Sequence, residues 1–576
     1  MRVTTSLGRS ARAVLAHLLA IALVASSLAT QVNAQLLDWV NGGGAGTGAY
    51  ETDANWSGGV APGVTNAARI NGGGTAIISA SGTVGALIAG TDVATSGNFQ
   101  LDSGEFTSLS ATAEIATAAD SSGSLTLNGG ILNIGDVAGL TGLQPNTGSE
   151  DLLFSATANT NSTLTLTNNA QLRGVDDLTL GNHNFSGPVG AGATSNTTVN
   201  ASGDSSISFA DGFSTRGQLE FNLSGNAEAS FGNSLGPADP NGLHRVGGGF
   251  VNLGSRLGSQ ADIVLEDNSV FNGQRLQNNQ GTSSITVRDN AEFNVFNVGA
   301  GGTNEDFRGQ AYLSRQTNST NGQSSTIITL EGSGRFFVDV NPVTVNEDGT
   351  DGHIDLLPQA GLTLAGGDDE PVQTAPGNQG GNNNEGGIVV VDIKDSGQFV
   401  IVQDLWATYG TAATSTSTVK VTGPDATVDI GGDLYLAKFI DQGLIGTPET
   451  GTVVNNGLQN RPGTAALHSV ITGSTHSVIE VGDEAYIDNG DLIVELDGYN
   501  PVLGDSYTLL TTGNSSGVLG EFADVDLSLA PLSGGLIWDL EYNSASVVLS
   551  VVPEPSSILL MVSAAACLLG GNRRRS

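Results

Sequence analysis

Cysteine is nearly absent: the single Cys567 of this 576-residue chain lies within the last ten residues. No disulfide can form in the body, and no thiolate metal site either. Aromatic residues make up only 5%, too few for one large globular core of ordinary composition. Positive charge is equally scarce. Of 20 Lys and Arg, six lie at the extremities (Arg2, Arg9, Arg12 and Arg573, Arg574, Arg575), leaving 14 against all 57 acidic residues, a net charge near −43 over Gln35 to Pro555. Such a field repels nucleic acid and anionic lipid, which excludes a nucleic-acid-binding role. Catalytic signatures are missing too: no HExxH, GxSxG or Walker sequence occurs. The histidines (His17, His183, His244, His353, His468, His476) form no metal-ligand pair, and His468 and His476, in a Ser/Thr-rich stretch, read as surface residues.

What is abundant is glycine, 82 residues, about twice the usual ~7% share, and a recurring short pattern. Alternating apolar residues run into a turn of Asn, Gly or Asp, then alternate again: SLTLNGGILNI from Ser124, TLTLTNNAQLR from Thr163, SITVRDNAEFNV from Ser284, VVVDIKDSGQFVI from Val389. Period-2 alternation of Val, Ile, Thr and Phe reads as strands, and the Asn/Gly/Asp pairs as tight turns. From Leu219 to Ile263, Ile285 and Ile327 the steps are 44, 22 and 42 residues, read as two, one and two units of about 22. That is one coil of a parallel β-helix with strands stacked at about 4.8 Å, predicting about 20 coils and a rod on the order of 100 Å. The expected fold is all-β: a right-handed parallel β-helix (solenoid) over residues 35–490, a small C-terminal β cap module over 491–552, and a terminal hydrophobic helix. The competing arrangement is an antiparallel sandwich or propeller. The Gly/Asn/Asp-rich stretch from Gly361 to Asn384 is expected to loop out of one face.

The N-terminus reads as a secretory signal peptide over residues 1–34. Arg2, Arg9 and Arg12 precede an apolar run from Ala13 to Ala25, and Val32 and Ala34 occupy the small-residue positions of a cleavage site, placing the new terminus at Gln35. The C-terminus is organised as Val552, Pro553, Glu554 and Pro555, then an apolar segment from Ser556 to Gly571, then Arg573, Arg574 and Arg575. The prolines stop the preceding strand, and the arginines hold the end on the cytoplasmic side.

Order and spacing of these three parts resemble the PEP-CTERM sorting signal of Gram-negative bacteria, over about the last two dozen residues (553–576). The resemblance implies recognition by an exosortase-type membrane protease after transient inner-membrane insertion, export aided by signal peptidase, and association with exopolysaccharide. A second resemblance, to large autotransporter-like surface proteins, rests on Trp39 and on Asn55-Trp56-Ser57-Gly58-Gly59; Trp56 and Trp538 are expected to plug the ends of the rod.

Chemistry within the body is sparse. The segments carrying Asp348, Asp351 and Asp355, and Asp368 and Asp369, place oxygen ligands on Gly-rich backbone and are the candidate Ca²⁺ site, without EF-hand spacing. No other cofactor is indicated. The reading is an exported, non-enzymatic structural or adhesive protein of the cell surface or extracellular matrix. The alternative is a secreted β-helix polysaccharide lyase or glycoside hydrolase, which would set facing carboxylates and a basic residue along one β-face. Arg and Lys being scarce, the sequence discloses no histidine-containing or basic cluster beside an acidic one.

Overall fold

The computed structural model describes residues 35–109, 112–135, 151–175, 177–181, 195–209, 212–232, 251–254, 258–274, 276–278, 281–297, 311–316, 324–340, 361–367, 387–409, 415–437 and 463–555. Their strands form three sheets of fifteen. The chain visits a first, a second and a third sheet in turn and then returns to the first one level higher, so the protein is a parallel β-helix. Gln35–Asp38 opens the first sheet, Thr47–Ala49 the second and Gly82–Val84 the third. Neighbouring strands run parallel in every sheet until the end of the stack, as in Ser122–Asn128 against Thr160–Thr167. Backbone N–H and C=O groups are therefore satisfied by the coils above and below.

Fifteen coils, at about 4.8 Å each, give a stack of about 70 Å, shorter than the sequence spacing predicts. The 42- to 44-residue steps are single coils, not pairs. Gln218 pairs with Gln260, and Thr282 with Ser325, although Gln260 to Thr282 is a plain 22-residue advance. Ser325 to Ile388 spans 63 residues within one coil. Ile285 also pairs with Ile328 rather than Ile327, so Ile327 faces outward, 48% exposed. Within Gly361 to Asn384, expected to loop out, Leu362–Gly367 is a strand of the first sheet; 368–386 lie outside the described residues.

The extra length is not spread around the coil. Each segment outside the described residues within the solenoid joins the chain at one of the two borders of the first sheet, for example 233–250 and 341–360 on entering it, 182–194 and 438–462 on leaving it. The corner between the second and third sheets stays tight nearly throughout. There the residue at positive φ is Gly203, Gly225, Asp267, Asp289, Gly332 or Asp395 in successive coils. This left-handed conformation suits Gly and Asp/Asn and few other side chains. The following residue forms a ladder: Asn226 donates to Asp204 (2.7 Å), Asn268 to Asn226 (3.1 Å) and Asn290 to Asn268 (3.3 Å).

The interior is a set of columns. In the third sheet Phe271, Phe293, Phe336 and Phe399 stack with ring centroids 4.6, 5.2 and 5.8 Å apart, all fully buried. In the second, Phe221, Ile263, Ile285, Ile328, Val391 and Val419 align in register. Stacking like residues lets few aromatics form a continuous core. Buried hydroxyls line the corner between the first and second sheets and bond around it within a coil, as in Ser155 to Ser162 (2.7 Å), and along the axis between coils, as in Ser162 to Thr197 (3.0 Å).

The ends are closed by different devices. At the first coil Trp39, Tyr50 and Trp56 meet edge to face, 5.0 and 5.1 Å between centroids, and Trp56 Nε1 donates to Tyr50 O at 2.7 Å. At the other end, parallel pairing continues past residue 490. Asp491–Leu496, Ser506–Thr512, Val518–Leu519 and Asp524–Leu529 extend all three sheets. Residues 491–529 therefore belong to the solenoid, a later boundary than the sequence reading drew. The cap proper is an antiparallel pair, Leu536–Asn543 with Ser546–Pro553, the latter also antiparallel to Ser506–Thr512. Trp538, within the first of these strands, packs against Tyr507 with 6.0 Å between centroids, its Nε1 donating to Ala530 O at 2.8 Å.

Candidate functional site

The sorting sequence begins inside the cap. Val551 is bonded to the Gly504–Asp505 side: its N–H donates to Asp505 O (2.9 Å) and its carbonyl accepts from Gly504 (3.1 Å), while on the other side it faces Trp538 across the hairpin. Val552 and Pro553 pair with Ile537 and Leu536. Pro553 is the last strand residue and has no N–H to donate. Glu554 N–H still donates to Gly535 O at 2.8 Å, and Gly535 holds φ +75°, a conformation glycine permits. Glu554 and Pro555 are exposed. Arg573, Arg574, Arg575 and the expected terminal helix lie outside the described residues, and among the described residues no helix is long and apolar enough to cross a membrane.

Val32 and Ala34 likewise lie outside the described residues; Gln35 opens the first strand, exposed, its N–H donating to Thr65 O at 3.1 Å. The candidate Ca²⁺ ligands Asp348, Asp351, Asp355, Asp368 and Asp369 also fall outside them. Among the described residues no three His, Cys, Asp or Glu side chains come together as a metal site.

The histidine expectation needs correction. Neither His468 nor His476 is a free surface residue. His476 sits in the corner between Ile471 and Ile479, with its Nδ1 enclosed and without a hydrogen-bond partner among the described residues. Burial lowers its pKa to about 4, so it is neutral at physiological pH. His468 lies on the outer face of the second sheet, paired in register with Lys420 below and Ile493 above. Its Nε2 is 2.9 Å from Glu495 Oε2, out of line for a hydrogen bond, and Lys420 Nζ is 3.5 Å from the same oxygen. Asp392 precedes Lys420 in this column and Asp526 follows Ile493. Desolvation, then Lys420, lower the His468 pKa against the opposing pull of Glu495. A cluster of cation, imidazole and carboxylates therefore exists where the sequence disclosed none. Lys420 and His468 are 48 residues apart yet one coil apart, because 438–462 intervene.

A second outer ladder lies on the first sheet. Trp406, Tyr435 and Tyr486 stack face to face, 3.8 and 4.8 Å between centroids. Tyr435 donates to Asp433 (2.7 Å) and Tyr486 to Glu484 (2.6 Å); Asp404 and Asp433 accept the backbone N–H of Asp433 and Glu484 one coil higher, both at 2.9 Å. The Glu484 hydrogen bond helps push the Tyr486 hydroxyl up to about 12, and burial raises the Asp404 carboxyl. The rings stack on one another and the carboxylates bond the chain, so the strip braces neighbouring coils.

No protein-family model matches the chain, and no curated protein is significantly similar to it.

Proposed function

We propose that the chain is an exported, non-enzymatic structural or adhesive protein of a Gram-negative cell surface or extracellular matrix, processed at both ends. The observation that carries the reading is the three-part C-terminus, Val552 to Pro555, the apolar segment and the Arg573–Arg575 cluster, which resembles a PEP-CTERM signal. A stack of fifteen coils whose outer ladders are largely bonded within themselves supports a mechanical role, because such a rod is stiff. The signal peptidase cut after Ala34 and an exosortase-type cut near Pro555 would leave a strongly acidic rod that repels anionic polymers, which favours a neutral exopolysaccharide as partner. Fractionation with pulse-chase of the wild-type chain and of a Pro553→Ala/Pro555→Ala variant tests this. The variant is expected to stay in the membrane fraction at precursor size, and unchanged processing would refute the sorting role.

One observation favours a second reading, a carbohydrate-active enzyme: Asp392, Lys420, His468 and Glu495 share one outer face. New reducing ends or unsaturated products from acidic polysaccharides, abolished by Lys420→Ala or His468→Ala, would establish it.

A further inference from the structure

We infer that folding of the C-terminal cap gates release of the chain, an inference resting on the sorting role proposed above. The residues just before the exposed Glu554-Pro555 step are structural members of the cap. Val547, Leu549 and Val551 are buried at 0–1% exposure on its inner side. The strand carrying them is central, with Leu536–Asn543 on one side and Ser506–Thr512 on the other. Val551 gives its N–H to Asp505 O and its carbonyl to Gly504 N–H, Val552 and Pro553 pair with Ile537 and Leu536, and Glu554 N–H donates to Gly535 O.

Proteases that act on linear sites take the substrate as an extended strand, pairing its backbone within the enzyme's own cleft. Cleavage near Pro555 needs roughly four residues on its N-terminal side, Val551 to Glu554, whose backbone groups the closed cap already occupies. The same hydrogen bonds cannot be made twice. Either the protease acts before Ser546–Pro553 docks between its neighbours, or it waits for the cap to open. Release then depends on the equilibrium of local cap opening, not only on the sorting sequence. The arrangement also orders events: a chain whose cap is slow to close is released early, and a closed cap holds the rod at the membrane.

Two alterations outside the sorting residues test this in pulse-chase of the full chain in its host. A Gly-Ser-Gly-Ser insertion between Val551 and Val552 carries the sorting residues off the strand while preserving their distance to the apolar segment; it is expected to speed processing by about tenfold, the gain from removing a local opening step. The second is Asp539→Cys with Ser550→Cys, a facing pair across the hairpin. Its oxidised form is expected to be processed severalfold more slowly than wild type, and reductant is expected to restore the rate. Wild-type rates for the insertion and for the oxidised lock would overturn the gate while leaving the sorting role standing. Unchanged processing of Pro553→Ala/Pro555→Ala would remove the sorting role and the gate with it.

Discussion

Gly174 stands directly beneath Phe209 in the third sheet, and a Cβ on Gly174 would lie 2.1 Å from Phe209 Cε1. Phe209 is fully buried and has no outward path for its ring. The glycine is therefore there for space, since its φ is not in the left-handed region. Gly174→Ala is expected to destabilise by about 1–3 kcal/mol through overpacking. Trimming the ring with Phe209→Leu in the same chain should recover part of that loss, a coupling that urea midpoints of the four proteins measure. Additive midpoint shifts would show that the two sites do not share the space.

The phenylalanine column should behave as a local unit. Phe293 lies between Phe271 at 4.6 Å and Phe336 at 5.2 Å. Phe293→Ala is expected to cost about 3–5 kcal/mol. Because each coil contacts mainly its neighbours, amide-exchange protection should fall in the strands around Phe271, Phe293 and Phe336 and stay unchanged near Trp56. Uniform loss along the rod would contradict the columnar picture.

At the tight corner, Asp267 holds φ +60° and its carboxylate accepts the Gly225 N–H at 2.9 Å. Asp267→Gly keeps the backbone and loses one exposed hydrogen bond. Asp267→Ala loses the bond and adds left-handed strain, so it should be the less stable by about 1 kcal/mol. Asp267→Asn should lie nearest the wild type. Thermal midpoints of the three variants give the ranking, and an alanine variant as stable as the glycine variant would refute it.

The half-buried His476 makes stability depend on pH. Its pKa is about 4 folded against an ordinary 6.5. Above pH 6.5 it is neutral in both states and its contribution is fully present. As pH falls from 6.5 toward 4 the unfolded chain takes up the proton first, so stability drops, by about 3 kcal/mol when complete. His468, lowered by desolvation and Lys420, acts in the same direction. Urea midpoints of wild type and His476→Gln at pH 7.5 and pH 5 should differ, the variant losing less on acidification. Equal losses would show that His476 is protonated in the folded rod.

Much of the coil was legible from residue patterns alone. Alternation such as Leu125-Thr126-Leu127 and turns such as Asn128-Gly129-Gly130 state which side chains face inward and where the chain bends. The Asp-Asn and Gly-Asn pairs of the corner announce the left-handed position, because few side chains adopt it cheaply. Coil number was misread because a step of 42 residues looks like two periods of about 22. Nothing in Phe221 or Ile263 says whether the intervening chain completes a turn or leaves the stack. The phase error at Ile327 has the same root: Ser-Thr-Ile-Ile-Thr-Leu carries two adjacent isoleucines, and only pairing with Ile285 decides that Ile328 points in.

The sequence by itself determined local matters: strand, turn, inward face, the acidic surface and the composition of both ends. These depend on neighbours within a few residues, where chemistry and spacing are read together. Tertiary structure alone decided which distant residues share a column. Lys420 meets His468, Trp406 meets Tyr435, and Val551 enters the cap between two strands, because parallel stacking pairs residues by coil and level regardless of how much chain lies between.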